Sequence, residues 1–165
     1  MIDPMDLRIL AILQDDGRLA NAEIARRVGL APSAVFERIR KLEASKLIRG
    51  YHARLDPHPL KRGLLAFIFV TANEEVKRAD CARLLAEIPE TLEVHNVAGE
   101  DCYLVKVRVE SPEALGKLLR EKFGAISQVT ATRSTLVLET YKETIALPLP
   151  SVHPEEARRV TLRRK

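Results

Sequence analysis

Pro32-Ser33-Ala34, followed by Arg38, Arg40 and Lys41 in "PSAVFERIRKLEA", have the types and spacing to meet a polyanion. Small side chains in the first turn of a helix let its end approach the floor of a groove. Guanidinium and ammonium groups further along then reach phosphates on the walls. Glu37, set among these cations, is placed to orient a neighbouring arginine. A second set is "VAGED", residues 97–101, with "TATRST", residues 130–135. Gly99 permits a tight turn with exposed backbone N–H groups, and Thr132, Ser134 and Thr135 supply hydroxyls. Taken alone, these residues fit a small-ligand site and a plain hairpin beside a polar strand equally well. No Ser/His/Asp or Cys/His set, phosphate-binding glycine loop or zinc motif occurs. His52, His58, His95 and His153 share no metal-ligand spacing, so no metal or cofactor is expected. Cys81 and Cys102 are too few for a disulfide framework and read as small buried apolar residues.

The elements that must position the first set are three short helices. Asp3-Pro4 supplies an N-cap and a proline for the first helical position. Met5, Ile9, Leu10 and Leu13 then recur at helical spacing until "QDDGR" breaks the pattern. Asn21 is expected to cap a second helix that buries Ala22, Ile24, Ala25 and Val28. Gly29 ends it in a left-handed conformation that costs glycine little. Pro32 opens the third helix, in which Val35, Ile39 and Leu42 form a stripe facing the core. Two helices joined in this way form a helix-turn-helix, with the third helix of the chain as the recognition helix. "LIRGYHARLD" alternates towards a short hairpin, a wing that sets Arg49 and Arg54 beside the DNA backbone. The residues expected to meet DNA are Asn21, Pro32, Ser33, Ala34, Phe36, Arg38, Arg40, Lys41 and Arg54.

Residues 64–141 fall into two similar halves. "LLAFIFVTA", a helix over 79–88 and "TLEVHNVA" make the first; "CYLVKVRVE", a helix over 111–123 and "SQVTATRSTLVLETY" make the second. Consecutive βαβ halves imply a ferredoxin-like βαββαβ sheet with both helices on one face, so the class is α+β. The first strand is apolar on both sides, with Leu64, Ala66, Ile68 and Val70 on one and Leu65, Phe67 and Phe69 on the other. A sheet with helices on one face only should alternate, so the second face needs a cover, and a partner subunit is the simplest. Lys106 and Arg108 share that face, which is therefore not uniformly apolar.

Composition agrees with this division. The 165 residues are 46% hydrophobic and 30% charged, as in globular chains, and no apolar run reaches bilayer length. The N-terminus lacks the apolar core of a signal peptide, and a cytoplasmic location is expected. The formal net charge of +4 is unevenly spread: +3 over residues 1–61, −2 over 62–143 and +3 over 144–165. A basic head on a slightly acidic body places polyanion binding in the head. The tail "SVHPEEARRVTLRRK" is expected to be disordered and to add non-specific phosphate affinity.

The ordered pattern from "IDPMDLRILAILQDDGRLANAEIARRVGLAPSAVFERIRKLEASKLIRGYHARLDP" through "VAGEDCYLVKV" to "TATRSTLVLETYKE" resembles the Lrp/AsnC (feast/famine) family of transcription regulators. The resemblance covers almost everything up to Glu143. It implies a winged helix-turn-helix over residues 1–50, a wing and linker strand over 51–61, and a βαββαβ domain over 62–143. A basic tail, 144–165, follows. It further implies double-stranded DNA as partner, an amino acid or similar small effector, and a homodimer that assembles further, to a tetramer or octamer. The effector residues would be Val97, Ala98, Gly99, Glu100, Asp101, Tyr103, Thr132, Ser134 and Thr135. This chain departs from the family at two places. Ala31 stands where a serine usually precedes Pro32, and an uncapped helix start costs about 1 kcal/mol. The usual Gly-x-x-Asp-Tyr loop reads Gly99-Glu100-Asp101-Cys102-Tyr103, which displaces its carboxylate. Two other functions fit the same architecture: a DNA-architectural protein with little effector response, and a siroheme-decarboxylase-like enzyme. The enzyme would need tetrapyrrole-pocket histidines, and His95 is the only histidine within residues 62–143.

Overall fold

The computed structural model describes residues 2–73 and 80–150. They divide into two compact units, one of residues 2–54 with 143–150 and one of residues 55–142. The expected division was at 50, 61 and 143. The observed one assigns residues 143–150 to the first unit, and residues 151–165 of the expected tail lie outside the described residues.

The first unit holds α1 (Pro4–Asp15), α2 (Asn21–Val28) and α3 (Pro32–Ala44). Asp3 caps α1, accepting from the Asp6 backbone N–H at 2.8 Å, while the Asp6 carboxylate accepts from the Asp3 N–H at 3.1 Å. This reciprocal arrangement satisfies two N–H groups that the helix start leaves without partners. Met5, Ile9, Ile24, Ala25, Val28, Val35 and Ile39 close one core. Gly29 ends α2 at φ +75°. Arg8 donates to the carbonyls of Arg27 and Val28 at 3.1 and 3.4 Å, a cation against the negative end of α2.

Several expectations for this unit are corrected. Ala22, expected among the buried residues of α2, is exposed, and only Ile24, Ala25 and Val28 of that helix are buried. Ala20, not Asn21, is the N-cap of α2, and no side chain bonds to that helix start. The wing is not formed, because residues 49–56 lie in no strand. Alternation gives a strand its two faces but cannot supply the partner strand that a hairpin needs. Tyr51 instead folds back, its hydroxyl donating to Glu43 of α3 at 3.0 Å. Its ring lies so close to Gly17 that a Cβ there would meet Tyr51 Cδ1 at 3.0 Å. Burial and the Glu43 carboxylate raise the phenol pKa to about 12.

The second unit holds β1 (Leu64–Ala72), α4 (Asp80–Ala86), β2 (Thr91–Asn96), β3 (Tyr103–Val109), α5 (Pro112–Leu118) and β4 (Val129–Leu136). Ser111 caps α5, accepting from the Ala114 N–H at 3.2 Å, and a wider π turn carries the helix on through Leu119–Phe123. The strand order β2-β3-β1-β4, with every neighbouring pair antiparallel, is the expected ferredoxin-like sheet. Ala66, Ile68, Val70, Val105, Val107, Leu85, Leu115 and Phe123 close the core between the sheet and its helices. Register sends Leu65, Phe67 and Phe69 to the opposite face with Lys106, Arg108 and Arg133. There the Lys106 ammonium donates to Glu93 at 3.0 Å and holds that carboxyl below the usual range.

Candidate functional site

The exposed residues of α3 lie on one face. Ser33, Phe36, Glu37, Arg40 and Lys41 recur at intervals of three and four, opposite buried Val35, Ile39 and Leu42. Ala34 is half-buried beside them and Pro32 is exposed at the helix start. Ala31 is the N-cap and offers no side-chain bond. Arg40 is held by Glu37, its Nε and Nη2 donating to one carboxylate oxygen at 3.2 and 3.0 Å. Phe36 is 54% exposed, an apolar ring held out among charges. Behind this face a hollow is lined by Leu13, Leu19, Asn21, Phe36, Arg40 and Tyr51. On α2, Glu23 grips Arg26 and Arg27 at 2.7 and 2.8 Å, and these guanidinium hydrogen bonds hold its carboxyl at about 2.

Arg38 does not share that face. Its Nη1 donates at 2.6 Å to both Asp3 and Asp6, and its side chain is only 18% exposed. The expected phosphate contact is corrected to a tie between α3 and the cap of α1. Arg54 is exposed at the end of the unit, outside any element.

In the second unit the loop between β2 and β3 closes through Val97 N–H donating to the Cys102 carbonyl at 3.1 Å. Gly99 sits within it at φ +139°, a conformation that L side chains rarely adopt, and a Cβ there would meet nothing within 4 Å. The loop end is anchored by Cys102 N–H donating to Val70 at 2.9 Å and by the Cys102 thiol against Ala72 at 3.4 Å. Asp101 accepts from Arg133 Nη2 of β4 at 3.0 Å, and the same guanidinium lies 4.0 Å above the Phe69 ring.

The helix-turn-helix residues 2–43 match the AsnC-type helix-turn-helix domain, and residues 65–147 match the Lrp/AsnC ligand binding domain. The chain belongs to the Lrp/AsnC family. It is 39% identical over 148 residues to the HTH-type transcriptional regulator FL11 of Pyrococcus horikoshii, covering 90% of this chain and 97% of that protein. It is 38% identical over 144 residues to the leucine-responsive regulatory protein of Escherichia coli strain K12, covering 86% and 88%. A transcriptional regulator of Neisseria meningitidis, solved in complex with L-methionine, superimposes with a TM-score of 0.84 at 33% identity, covering 90% and 97%. The feast or famine regulatory protein of M. tuberculosis, complexed with L-methionine, gives 0.82 at 35%, covering 89% and 99%.

Within this Lrp/AsnC chain the expected effector residues do not all converge. Thr132 pairs with Val70 and Ser134 with Ile68, on the helix-covered side of the sheet, whereas Thr135 pairs with Phe67 on the open side. Tyr103 is 5% exposed and belongs to the core. Val97, Ala98, Gly99, Glu100 and Asp101 do form one loop, and Asp101 is tied to Arg133, which the sequence reading passed over in favour of its hydroxyl neighbours. Its signal was available: period-two alternation sets Arg133 and Thr135 on one face. Among the described residues no cluster of His, Cys, Asp and Glu could hold a metal, and no helix is long and apolar enough to cross a membrane.

Proposed function

We propose that this Lrp/AsnC regulator is a cytoplasmic, sequence-specific DNA-binding protein whose DNA affinity is tuned by an amino acid, and that it is not an enzyme. The observation that carries the reading is the single exposed face of α3, with small residues at its start and Arg40 and Lys41 beyond them. Ser33, Ala34 and Phe36 meet base edges, Pro32 and Asn21 line the approach, and Arg40, Lys41 and Arg54 meet phosphate. Glu37 aims Arg40 rather than touching DNA. Salt titration of operator binding tests this: Arg40→Ala and Lys41→Ala should each weaken binding to every sequence and lower the salt slope by about one. Variants that bind as wild type at every salt concentration would remove the docking scheme.

The effector site is the Gly99 loop with Asp101 and Arg133. A zwitterion needs donors for its carboxylate and an acceptor for its ammonium group, and this loop offers backbone N–H groups, a guanidinium and two acids side by side. The relatives solved with L-methionine support an amino acid as the ligand. Self-association through the open face of the sheet completes the reading, since Leu65, Phe67, Phe69 and Leu104 lie there beside Lys106 and Arg133, which are paired with Glu93 and Asp101. Residues 62–143 expressed alone should therefore stay folded and self-associate. Light scattering that finds this fragment monomeric at micromolar concentration would remove that part.

A further inference from the structure

Asp101 and Arg133 meet through one atom each, Arg133 Nη2 donating to Asp101 Oδ2 at 3.0 Å. A guanidinium carries a fork of N–H donors and a carboxylate accepts on two oxygens, so this contact leaves most of both groups unused. The guanidinium does not depend on Asp101 for its place, because it also lies 4.0 Å above the Phe69 ring in a cation–π contact. The Arg133 side chain is 63% exposed and that of Asp101 22%, so solvent reaches the donors while the anion beside them is partly shielded. The loop adds further donors. Among the described residues, no N–H of residues 98–101 donates to a backbone carbonyl.

The charges of the pair cancel, and that decides which ligands it holds. A bare carboxylate drawn to Arg133 comes up against Asp101, with Glu100 next to it in the chain. Attraction to the guanidinium is then offset by repulsion from the acids. A 2-oxo acid fares no better, because its oxo oxygen sets one acceptor against another. An α-amino acid differs in carrying an ammonium group on the carbon next to its carboxylate. With that carboxylate on Arg133 and the loop N–H groups, the ammonium meets the unused oxygen of Asp101, and opposite charges alternate around all four groups. We propose that Asp101 is the residue by which this regulator accepts α-amino acids and rejects the 2-oxo acids and simple acids of the same carbon skeleton. A site arranged to pair a polar group turns away the analogue that lacks it, since its own group is left facing a like charge. Amino-group transfer interconverts an amino acid and its 2-oxo acid, so the site reads the aminated form alone. This rests on the effector reading above and adds to it what the site refuses.

Calorimetry on the full chain compares L-methionine with its 2-oxo acid and its des-amino acid. Where another of the twenty amino acids binds more tightly, that amino acid and its two analogues take their place. Wild type should prefer the amino acid by about thirtyfold or more. Asp101→Asn keeps the shape of the side chain and removes its charge. It should weaken the amino acid about tenfold and tighten both analogues, leaving a preference below about threefold. Arg133→Gln should weaken all three ligands, which share the carboxylate. Wild type that binds the amino acid and the 2-oxo acid alike overturns the proposal, and this comparison stands even where a variant does not fold. Asp101→Asn that keeps the wild-type preference, or Arg133→Gln that binds all three unchanged, overturns it as well. Wild type that binds none of the twenty amino acids overturns the effector reading itself, an outcome distinct from equal binding of the amino acid and its 2-oxo acid.

Discussion

Arg38→Ala is expected to destabilise the first unit by about 2–3 kcal/mol, the range for hydrogen bonds to charged groups left without their partner. Arg38 is the only cation joined to Asp3 and Asp6 among the described residues, and the Asp6 side chain is 13% exposed. Its loss leaves two carboxylates facing each other at the junction of α1 and α3. Acid should expose the same tie. Burial pushes the Asp3 carboxyl up, but the Asp6 N–H and the Arg38 guanidinium outweigh it and hold the group below its ordinary 3.8. The stabilisation is complete above that value and is lost as pH falls below it, through the lowered folded-state value. Arg38→Ala should therefore lose less stability than wild type between pH 7 and pH 3. Hydrogen exchange of α1 and α3 amides in both proteins at the two pH values measures this. If Arg38 contacts phosphate instead, the variant will keep its stability and lose one unit of salt slope. A folded variant with an unchanged slope is the outcome the tie predicts.

Gly99→Val should weaken amino acid binding a hundredfold or more, about 2.7 kcal/mol, while ligand-free DNA binding stays intact. The backbone at φ +139° is strained for a β-branched residue, at a cost of about 1–3 kcal/mol. The loop relieves that strain by turning away the N–H groups it presents. A Cβ there meets nothing within 4 Å, so no packed neighbour is displaced and the sheet keeps its core. The new side chain instead occupies space the ligand needs, next to Asp101 and Arg133. Because an effector acts only through different affinities for two states, removing its site should abolish the response to ligand and leave the basal state. Calorimetry with the twenty amino acids, on wild type and then on Gly99→Val, decides it. Undiminished binding by the variant puts the site elsewhere, and no binding by either protein favours the architectural reading.

Local signals carried the elements well and long-range partners poorly. Pro32, Gly29 and the Val35, Ile39, Leu42 stripe mark the helix-turn-helix, and the two βαβ halves are readable as periodicity changes. Arg38 looked like its neighbours because helical spacing gives a direction, not a partner. The carboxylates that claim it lie 35 and 32 residues away. The wing failed for a related reason, since an alternating segment does not reveal that its tyrosine will prefer Gly17 and Glu43 to a second strand. The scattered hydroxyls of β4 were a different lapse. Alternation alone separates Thr132 and Ser134 from Thr135, and Arg133 shares the side of the latter.

The two cores share no residue, which invites exchange of this body onto a foreign head, or of this head onto another sensor. The Gln14 amide, whose Nε2 donates to the Leu147 carbonyl at 3.1 Å and whose Oε1 accepts from the Leu147 N–H at 2.7 Å, complicates such a graft. A head spliced in at residue 55 arrives with whatever its own first helix carries at that position, and the incoming C-terminal segment finds no amide to receive it. Chimeras made at the obvious boundary would then fold twice over and still leave the segment around Leu147 without its seat. Restoring one glutamine, far from the splice, is the repair.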